Sequence, residues 1–277
     1  MSKKWRVIDT GDNNGFVNMA IDEAMMAGIR QGISPATVRF YRWNPLAVTM
    51  GYFQDIHREI DLTKCTELGV CVVRRLTGGR AVLHHREVTY SIACPETDPV
   101  AGGRVVQSYL RISQGLLAGV KSLGVSAELV PHGGQKEASL SAACFEAPSW
   151  YELVVDGKKL IGSAQTRKQG IMLQHGSLPL EMDEELLADI IYFSSDRERD
   201  IFKRRFLGKA VALNNCLAAP VTHGQVTAAL TQGLEQALGV ELVAGDLTYC
   251  EQELAGELAN KYKSIEWNHG AGKRKLR

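Results

Sequence analysis

The chain has 277 residues, 45% of them hydrophobic and 23% charged, a globular balance that excludes disorder, coiled coil and collagen. Lys and Arg (32) nearly cancel Asp and Glu (31), so no whole-molecule field draws the protein to nucleic acid or to an acidic membrane. At ~150 residues per domain the length allows one large or two modest domains, with an ample core that needs no disulfide or metal staple.

Trp5 to Ile8 reads as a short strand. After Asp12-Asn13-Asn14-Gly15, a turn or N-cap cluster, the residues Phe16, Met19, Ala20, Ala24 and Ala27 recur at helical spacing and predict a helix over 14–30. Two strand-like runs, 37–43 and 47–53, are separated by Asn44-Pro45, which predicts a hairpin or a bent strand. A short helix over 62–68 leads to buried strands at 70–76 and 87–94. An amphipathic helix over 105–123 stops at Gly124, and 126–130 is a short strand. Residues 131–141 have no periodic apolar face and read as a mobile loop. Residues 150–165 form a hairpin turning at Asp156-Gly157, and 171–178 give one more strand. From Asp183 the pattern is helical, over 184–191, 197–207, 221–238 and 250–262. The expected fold class is α/β (α+β), mixed β-sheets flanked by helices. One catalytic domain over 1–265 is helical from about 183, and 266–277 is a basic, flexible tail. No apolar run approaches the ~20 residues that span a bilayer.

Six cysteines (Cys65, Cys71, Cys94, Cys144, Cys216, Cys250) are scattered, with no C-x-x-C pair and no Cys/His cluster, so zinc-ribbon and thioredoxin-like readings fail. The N-terminus turns polar too soon for a signal peptide, and the expectation is a cytoplasmic protein with reduced thiols.

Three neighbourhoods carry chemistry. In Arg74-Arg75-Leu76-Thr77-Gly78-Gly79-Arg80 the glycines let backbone approach a ligand and the arginines supply forked donors. The same spacing fits a polar β-turn with solvated arginines, and the following His84-His85 fits a strand-edge pair. In Lys158-Lys159-Leu160-Ile161-Gly162-Ser163-Ala164-Gln165 a lysine leads into small residues, and only one of the two lysines faces inward from an extended strand. The plain alternative is a pair that solubilises a turn. Cys144, just after the 131–141 loop, becomes a nucleophile if a cation favours its thiolate, although any one cysteine also reads as a small buried hydrophobe.

Arg-Arg-x-Thr-Gly-Gly-Arg with Val-Leu-His, and then Lys-x-x-Gly-Ser-Ala-Gln, resemble the lipoate/biotin protein ligase superfamily. Cys144-Phe-Glu-Ala-Pro-Ser-Trp-Tyr-Glu and Leu173-Gln-His-Gly-Ser narrow the resemblance to the LipM-type octanoyltransferases of Gram-positive bacteria, over nearly the whole chain. The resemblance implies a biotin/lipoate-ligase-like catalytic domain. It would transfer octanoyl from octanoyl-acyl carrier protein to the lipoyl-domain lysine of the glycine cleavage H protein, in lipoyl cofactor biosynthesis. Cys144 falls on the nucleophile that carries an octanoyl thioester, and Lys159 on the acyl-contacting lysine. Arg74, Arg75, Thr77, Gly78, Gly79, Arg80, His84, Gly162, Ser163, Ala164 and His175 are the substrate-binding candidates. His85 departs from the family, which commonly has Asp there. A thioester donor and a thiolate exchange at nearly equal bond energy, so no ATP and no cofactor or metal is expected.

Lys159 is expected to stabilise the thiolate while backbone N–H groups hold the oxyanion. Leu76 and Val82 are expected to line an apolar tunnel under the Gly78-Gly79 turn, where each buried CH₂ contributes ~0.8 kcal/mol. The partners expected are the two carrier proteins, with no nucleic acid or membrane, and the chain itself is expected to be a monomer. The rival readings are an octanoyl-H-protein amidotransferase of LipL type and an ATP-dependent lipoate-protein ligase, whose Arg80 and glycine loop would bind an adenylate. Cys144 and its context favour the LipM type.

Overall fold

Strand alternation decides the architecture, because the main sheet is covered on both faces. The computed structural model describes residues 2–131 and 151–270. In chain order the elements are β1 (Lys3–Asn13), α1 (Gly15–Arg30), β2 (Thr37–Trp43), β3 (Ala47–Met50), α2 (Ile56–Glu59), α3 (Leu62–Glu67), β4 (Cys71–Arg74), β5 (Val82–His84), β6 (Glu87–Pro95), α4 (Val105–Ser122), β7 (Glu128–Pro131), β8 (Tyr151–Val155), β9 (Lys158–Lys168), β10 (Ile171–Pro179), α5 (Glu184–Ile190), α6 (Asp196–Lys209), α7 (His223–Leu238), β11 (Val240–Ala244) and α8 (Tyr249–Lys263). A final π-helical turn spans Glu266–Gly270. Eight strands form a mixed sheet in the order β11-β1-β2-β6-β10-β9-β8-β7, and three form a small sheet, β4-β3-β5.

Along β2, β6 and β10 the even-numbered residues Val38, Phe40, Val88, Tyr90, Ile92, Met172 and Leu178 share a core with Ile112 and Leu116 of α4 and Leu230 and Leu234 of α7. The odd-numbered Tyr41, Trp43, Ala93 and Leu173 share another with Met19, Ala24 and Met25 of α1 and Ala255, Ala259 and Tyr262 of α8. A period of two thus sorts one set of strands into two cores. A third cluster joins Val48 and Met50 of β3 to Leu187 of α5 and to Phe202 and Phe206 of α6. Helix α1 begins where Asn14 Oδ1 accepts the Val17 N–H at 3.0 Å, the expected N-cap.

Most expected elements form, α2 and β5 are additional, and three further differences bear on the architecture. Residues 37–50 make no hairpin: β2 pairs with β1 and β6 in the large sheet, whereas β3 is the central strand of the small one. The chain changes sheets at Asn44-Pro45, and two strand-prone runs in sequence do not reveal which partner each will take. The C-terminal part is not all helical, since β11 adds a strand parallel to β1. Within the expected tail, 266–270 form the π-helical turn, and its Asn268 is buried. The expected hairpin forms as β8–β9, turning at Asp156 (φ +49°) and Gly157 (φ +73°). The 132–141 part of the expected loop lies outside the described residues, as do 271–277.

Candidate active site

The odd-numbered face is polar and still buried: Arg39 on β2, Glu87, Thr89 and Ser91 on β6, and His175 and Ser177 on β10 are all at most 7% exposed. Buried polar groups without partners are costly, so such a face persists only as a bonded network. The network borders a small cavity. Met19 of α1, Tyr41 and Trp43 of β2, Val82 and His84 of β5, Gly162 to Ala164 of β9, and His175 to Ser177 of β10 supply its walls.

Arg75, one residue past β4, is the hub. Its Nε donates to Thr77 Oγ1 (3.0 Å), and its Nη1 to the Thr49 carbonyl (2.9 Å) and to Thr49 Oγ1 (3.1 Å). Its Nη2 donates to the carbonyls of Gly78 (2.8 Å) and Arg80 (2.7 Å), which holds the glycine turn in place. A guanidinium only donates, so each threonine oxygen accepts from Arg75 and keeps its own proton to offer. Thr77 meets His175 Nε2 at 2.7 Å, and Thr49 meets His84 Nε2 at 2.8 Å. A carboxylate only accepts, so each imidazole carries a proton on the Nδ1 that faces one: Asp22 lies 3.2 Å from His175 and Glu87 2.7 Å from His84.

Two Arg–Thr–His–carboxylate chains thus diverge from one guanidinium. Burial pushes the His175 pKa below its ordinary value, outweighing Asp22, which favours the protonated ring. Burial also works to raise the Asp22 pKa, but the Arg39 guanidinium at 2.7 Å and hydrogen bonds from His175 and Ser91 hold it below the usual carboxylate range. Trp43 stacks on His84 with ring centroids 3.9 Å apart and anchors its Nε1–H on Thr89 at 2.7 Å.

Two glycines are required by close approach. Gly79 has φ +95°, and a Cβ on Gly51 would fall 2.0 Å from the Gly79 carbonyl oxygen, so the two loops touch backbone to backbone. A Cβ on Gly176 would lie 2.6 Å from the Tyr90 ring and 2.7 Å from the Gly162 carbonyl oxygen.

The structure brings together Arg75, Thr77, His84, Gly162, Ser163, Ala164 and His175, with Gly78 and Gly79 in the turn that Arg75 holds. It does not bring Arg74 to the cavity. That guanidinium is spent on backbone, with Nη1 on the carbonyls of Gly51, Tyr52 and Gln54 and both Nε and Nη2 on that of Asn268. Arg80 points to Glu59 (3.8 Å), away from the cavity lining. Leu76 does not line the cavity and packs instead at the edge of the α1–α8 core, whereas Val82 does line it, beside Met19, Tyr41 and Trp43 in a largely apolar wall. Lys159 is 3% exposed, with its Nζ 2.9 Å from Glu152 Oε1.

Cys144 lies outside the described residues. The described chain stops at Pro131 and resumes at Tyr151, and these two are register partners across β7 and β8. Leu153 of β8 faces Ile161 of β9, so this open end lies beside Gly162 and Ser163, both in the cavity wall. Among the described cysteines, burial raises the thiol pKa of Cys65 and Cys94 to about 12 and raises those of Cys71 and Cys216 as well. No group of three His, Cys, Asp or Glu among the described residues is placed to hold a metal ion. Sequence reasoning missed Asp22, Arg39, Thr49, Glu87 and Glu152. The usable signal was polar alternation in Glu87-Val-Thr-Tyr-Ser and in Gln174-His-Gly-Ser, within strands otherwise apolar enough to be buried on both sides.

The family model for the lipoyl protein ligase A/B catalytic domain matches residues 14–235. The chain is 46% identical over 269 residues to octanoyltransferase LipM of Kyrpidia tusciae, covering 96% of this chain and 98% of that one. It is 42% identical over 272 residues to octanoyltransferase LipM of Staphylococcus aureus, covering 96% and 99%. In fold it is similar to the bipartite lipoate protein ligase of Thermoplasma acidophilum, with a TM-score of 0.81 at 23% identity over 99% of this chain and 100% of that one. It is also similar to lipoate-protein ligase A bound with ATP, with a TM-score of 0.76 at 24% identity over 98% and 99%. Matched along its length and sharing the fold, the chain belongs to the lipoyl protein ligase A/B catalytic-domain family, in its LipM octanoyltransferase branch.

Proposed function

We propose that this chain carries octanoyl from octanoyl-acyl carrier protein to the lipoyl-domain lysine of the glycine cleavage H protein, through a thioester on Cys144. Octanoyl transfer in lipoyl assembly, and so an acyltransferase enzyme, is the coarser reading that the full-length LipM relatives support. The observation that carries the finer one is the Arg75-centred cavity. The ends of the segment bearing Cys144 are paired beside the β9 residues that wall it.

In this reading the Cys144 thiolate attacks the thioester carbonyl and the carrier's thiolate leaves. The neutral lysine amine of the acceptor then attacks the acyl-enzyme, releasing the Cys144 thiolate and a proton. Lys159 favours the thiolate over the thiol, as a cation beside a cysteine does. Arg75, Thr77, His84 and His175 present a bonded wall that does not reorganise when the acyl chain arrives. Gly162 to Ala164 and the Gly78-Gly79 turn approach the chain closely because they carry little or no side chain. Arg74 and Arg80 act on the loops rather than on the acyl group. The thiols of Cys65, Cys71, Cys94 and Cys216, raised by burial, are poor nucleophiles, which suits a role for Cys144. No helix among the described residues is long and apolar enough to cross a membrane, and we place the enzyme in the cytoplasm as a monomer.

The test is incubation with octanoyl-acyl carrier protein followed by peptide mass analysis. An octanoyl group on the Cys144 peptide, lost in Cys144→Ala together with transfer, is the expected result. Full transfer by Cys144→Ala refutes the thioester. Activity only with octanoyl-H protein as donor, or only with ATP and free lipoate, replaces this reading with an amidotransferase or a ligase.

A further inference from the structure

The C-terminal turn reaches the glycine loop through Arg74. Strand β4 is an edge of the small sheet, so among the described residues the outer side of Arg74 has no neighbouring strand. Two side chains stand in for one: Asn268 Oδ1 accepts the Arg74 N–H at 2.7 Å, and Trp267 Nε1–H donates to the Arg74 carbonyl at 2.9 Å. The Asn268 carbonyl also accepts from Arg74 Nε (3.1 Å) and Nη2 (2.7 Å). Asn268 is itself held, its Nδ2 donating to the carbonyls of Tyr262 (2.7 Å) and Ser264 (3.1 Å) at the end of α8.

From Arg74 the contacts continue inward. Its Nη1 gathers the carbonyls of Gly51, Tyr52 and Gln54 at 2.8 to 3.0 Å. Tyr52 N–H donates to the Thr77 carbonyl at 2.8 Å, and Gly51 lies against the Gly79 carbonyl. Thr77 and Gly79 belong to the turn that Arg75 holds over the cavity. Every link is a hydrogen bond or a backbone contact, and all the groups but the exposed Gly79 are buried or half-buried; a buried group that loses its partner must move to find another.

We propose that Trp267 and Asn268 are positioning residues: they set the 51–54 and 77–80 loops through Arg74 and touch no substrate. They therefore govern how tightly the acyl donor is held. A purely structural role would lower stability everywhere alike, whereas a positioning role loosens two loops and leaves the strands beneath them intact.

The experiment combines amide hydrogen exchange with kinetics on the full chain. In Asn268→Ala, residues 51–54 and 77–80 exchange roughly tenfold faster while β6 and β10 keep their protection. KM for the octanoyl donor rises about fivefold with kcat within about twofold, an arm that rests on the function proposed above. Trp267→Phe, which keeps a smaller aromatic ring and loses the hydrogen bond to the Arg74 carbonyl, shifts both readouts the same way by less, and it carries the test if Asn268→Ala does not fold. Glu257→Gly, on the exposed side of α8, lowers thermal stability and moves neither loop exchange nor KM. Uniform exchange changes in both strap variants, or loop exchange equal to wild type, overturn the proposal. A wild-type protein that transfers no octanoyl refutes the assigned reaction and leaves the exchange result to judge the strap.

Discussion

His175 and Asp22 are a buried pair in which burial and charge pull against each other, and the balance has a measurable sign. The unfolded imidazole takes up a proton near its ordinary pKa of 6.5, while the folded one does so only at lower pH. Between those two values the unfolded chain holds more protons, so stability falls as pH drops below about 6.5, by at most ~1.4 kcal/mol per pH unit from this group. Asp22, held below its ordinary 3.8, adds stability that is lost only under stronger acid and does not enter this window. Thermal unfolding of wild type between pH 7.5 and 5.5 should therefore slope downward on the acid side. His175→Gln should flatten the slope in part, with His223 and His269, also lowered by burial, supplying the rest. An unchanged slope would mean that His175 is not the neutral ring described. Lys159 offers a second test at this scale, since its ammonium and the Glu152 carboxylate have side chains 3% and 13% exposed. Lys159→Ala takes one cation away from a mostly buried carboxylate and should lower stability in urea unfolding by about 1 to 3 kcal/mol, in addition to slowing acyl-enzyme formation.

Strands β6 and β10 place a polar row on one face and an apolar row on the other, with both faces covered, and that arrangement makes Gly176 irreplaceable. Gly176→Ala drives its Cβ against the Tyr90 ring, the Gly162 carbonyl and the Ser163 hydroxyl, all within 2.7 Å, and two of these are held by other contacts. The expected loss is about 2 to 3 kcal/mol, with the β9–β10 pairing disturbed next to the cavity, readable as a lower Tm and weaker octanoyl transfer. A variant as stable and active as wild type would show that the strands have room to separate there. The same elements mark where sequence reading succeeds and where it stops. Helices α1 and α4 and the β8–β9 hairpin announce themselves through local rules: helical periodicity, an Asn N-cap, an Asp-Gly turn. The glycine turn around Gly78 is equally local. The β2–β3 break is not, because Asn44-Pro45 interrupts a strand without saying whether the next one returns to the same sheet. Strand β11 is five residues long and largely exposed, and only its pairing with β1 makes it a strand. Glu87, Thr89, Ser91 and Ser177 resemble a solvated face in one dimension. Their role depends on Arg39, Asp22 and Arg75 arriving from β2, α1 and the end of β4, and no spacing rule links such distant segments.

The two ends of the chain close on each other, and a single ion pair carries much of that closure. Strand β11 lies parallel to β1, and Arg6 in β1 reaches past it to α8, where its Nη1 and Nη2 meet Glu251 Oε2 and Oε1 at 2.8 and 2.7 Å. The same guanidinium donates to Thr37 Oγ1 and to the Asp246 carbonyl, joining β1, β2 and the approach to α8 at one point. Both side chains are nearly inaccessible, at 8% and 1%, so the pair is worth less than its breakage costs. Burial works to raise the Glu251 pKa, and hydrogen bonds from Arg6 and from the Thr248 N–H keep it below its ordinary 4.5. Arg6→Met should therefore destabilise the protein by about 3 to 5 kcal/mol at neutral pH by leaving an unpaired buried carboxylate. Adding Glu251→Gln should recover a large part of that loss, because the amide oxygen still accepts the Thr248 N–H in the capping box without carrying a charge. Acid provides the independent check. Without Arg6 the folded carboxyl prefers its proton, so the deficit of Arg6→Met relative to wild type shrinks as pH falls toward 4.5. For Arg6→Met/Glu251→Gln the deficit contains no such carboxyl and changes far less. Denaturant unfolding of the three proteins at pH 7 and pH 5 measures both effects, and a single-variant deficit that does not move with pH would locate its cost in lost packing rather than in stranded charge.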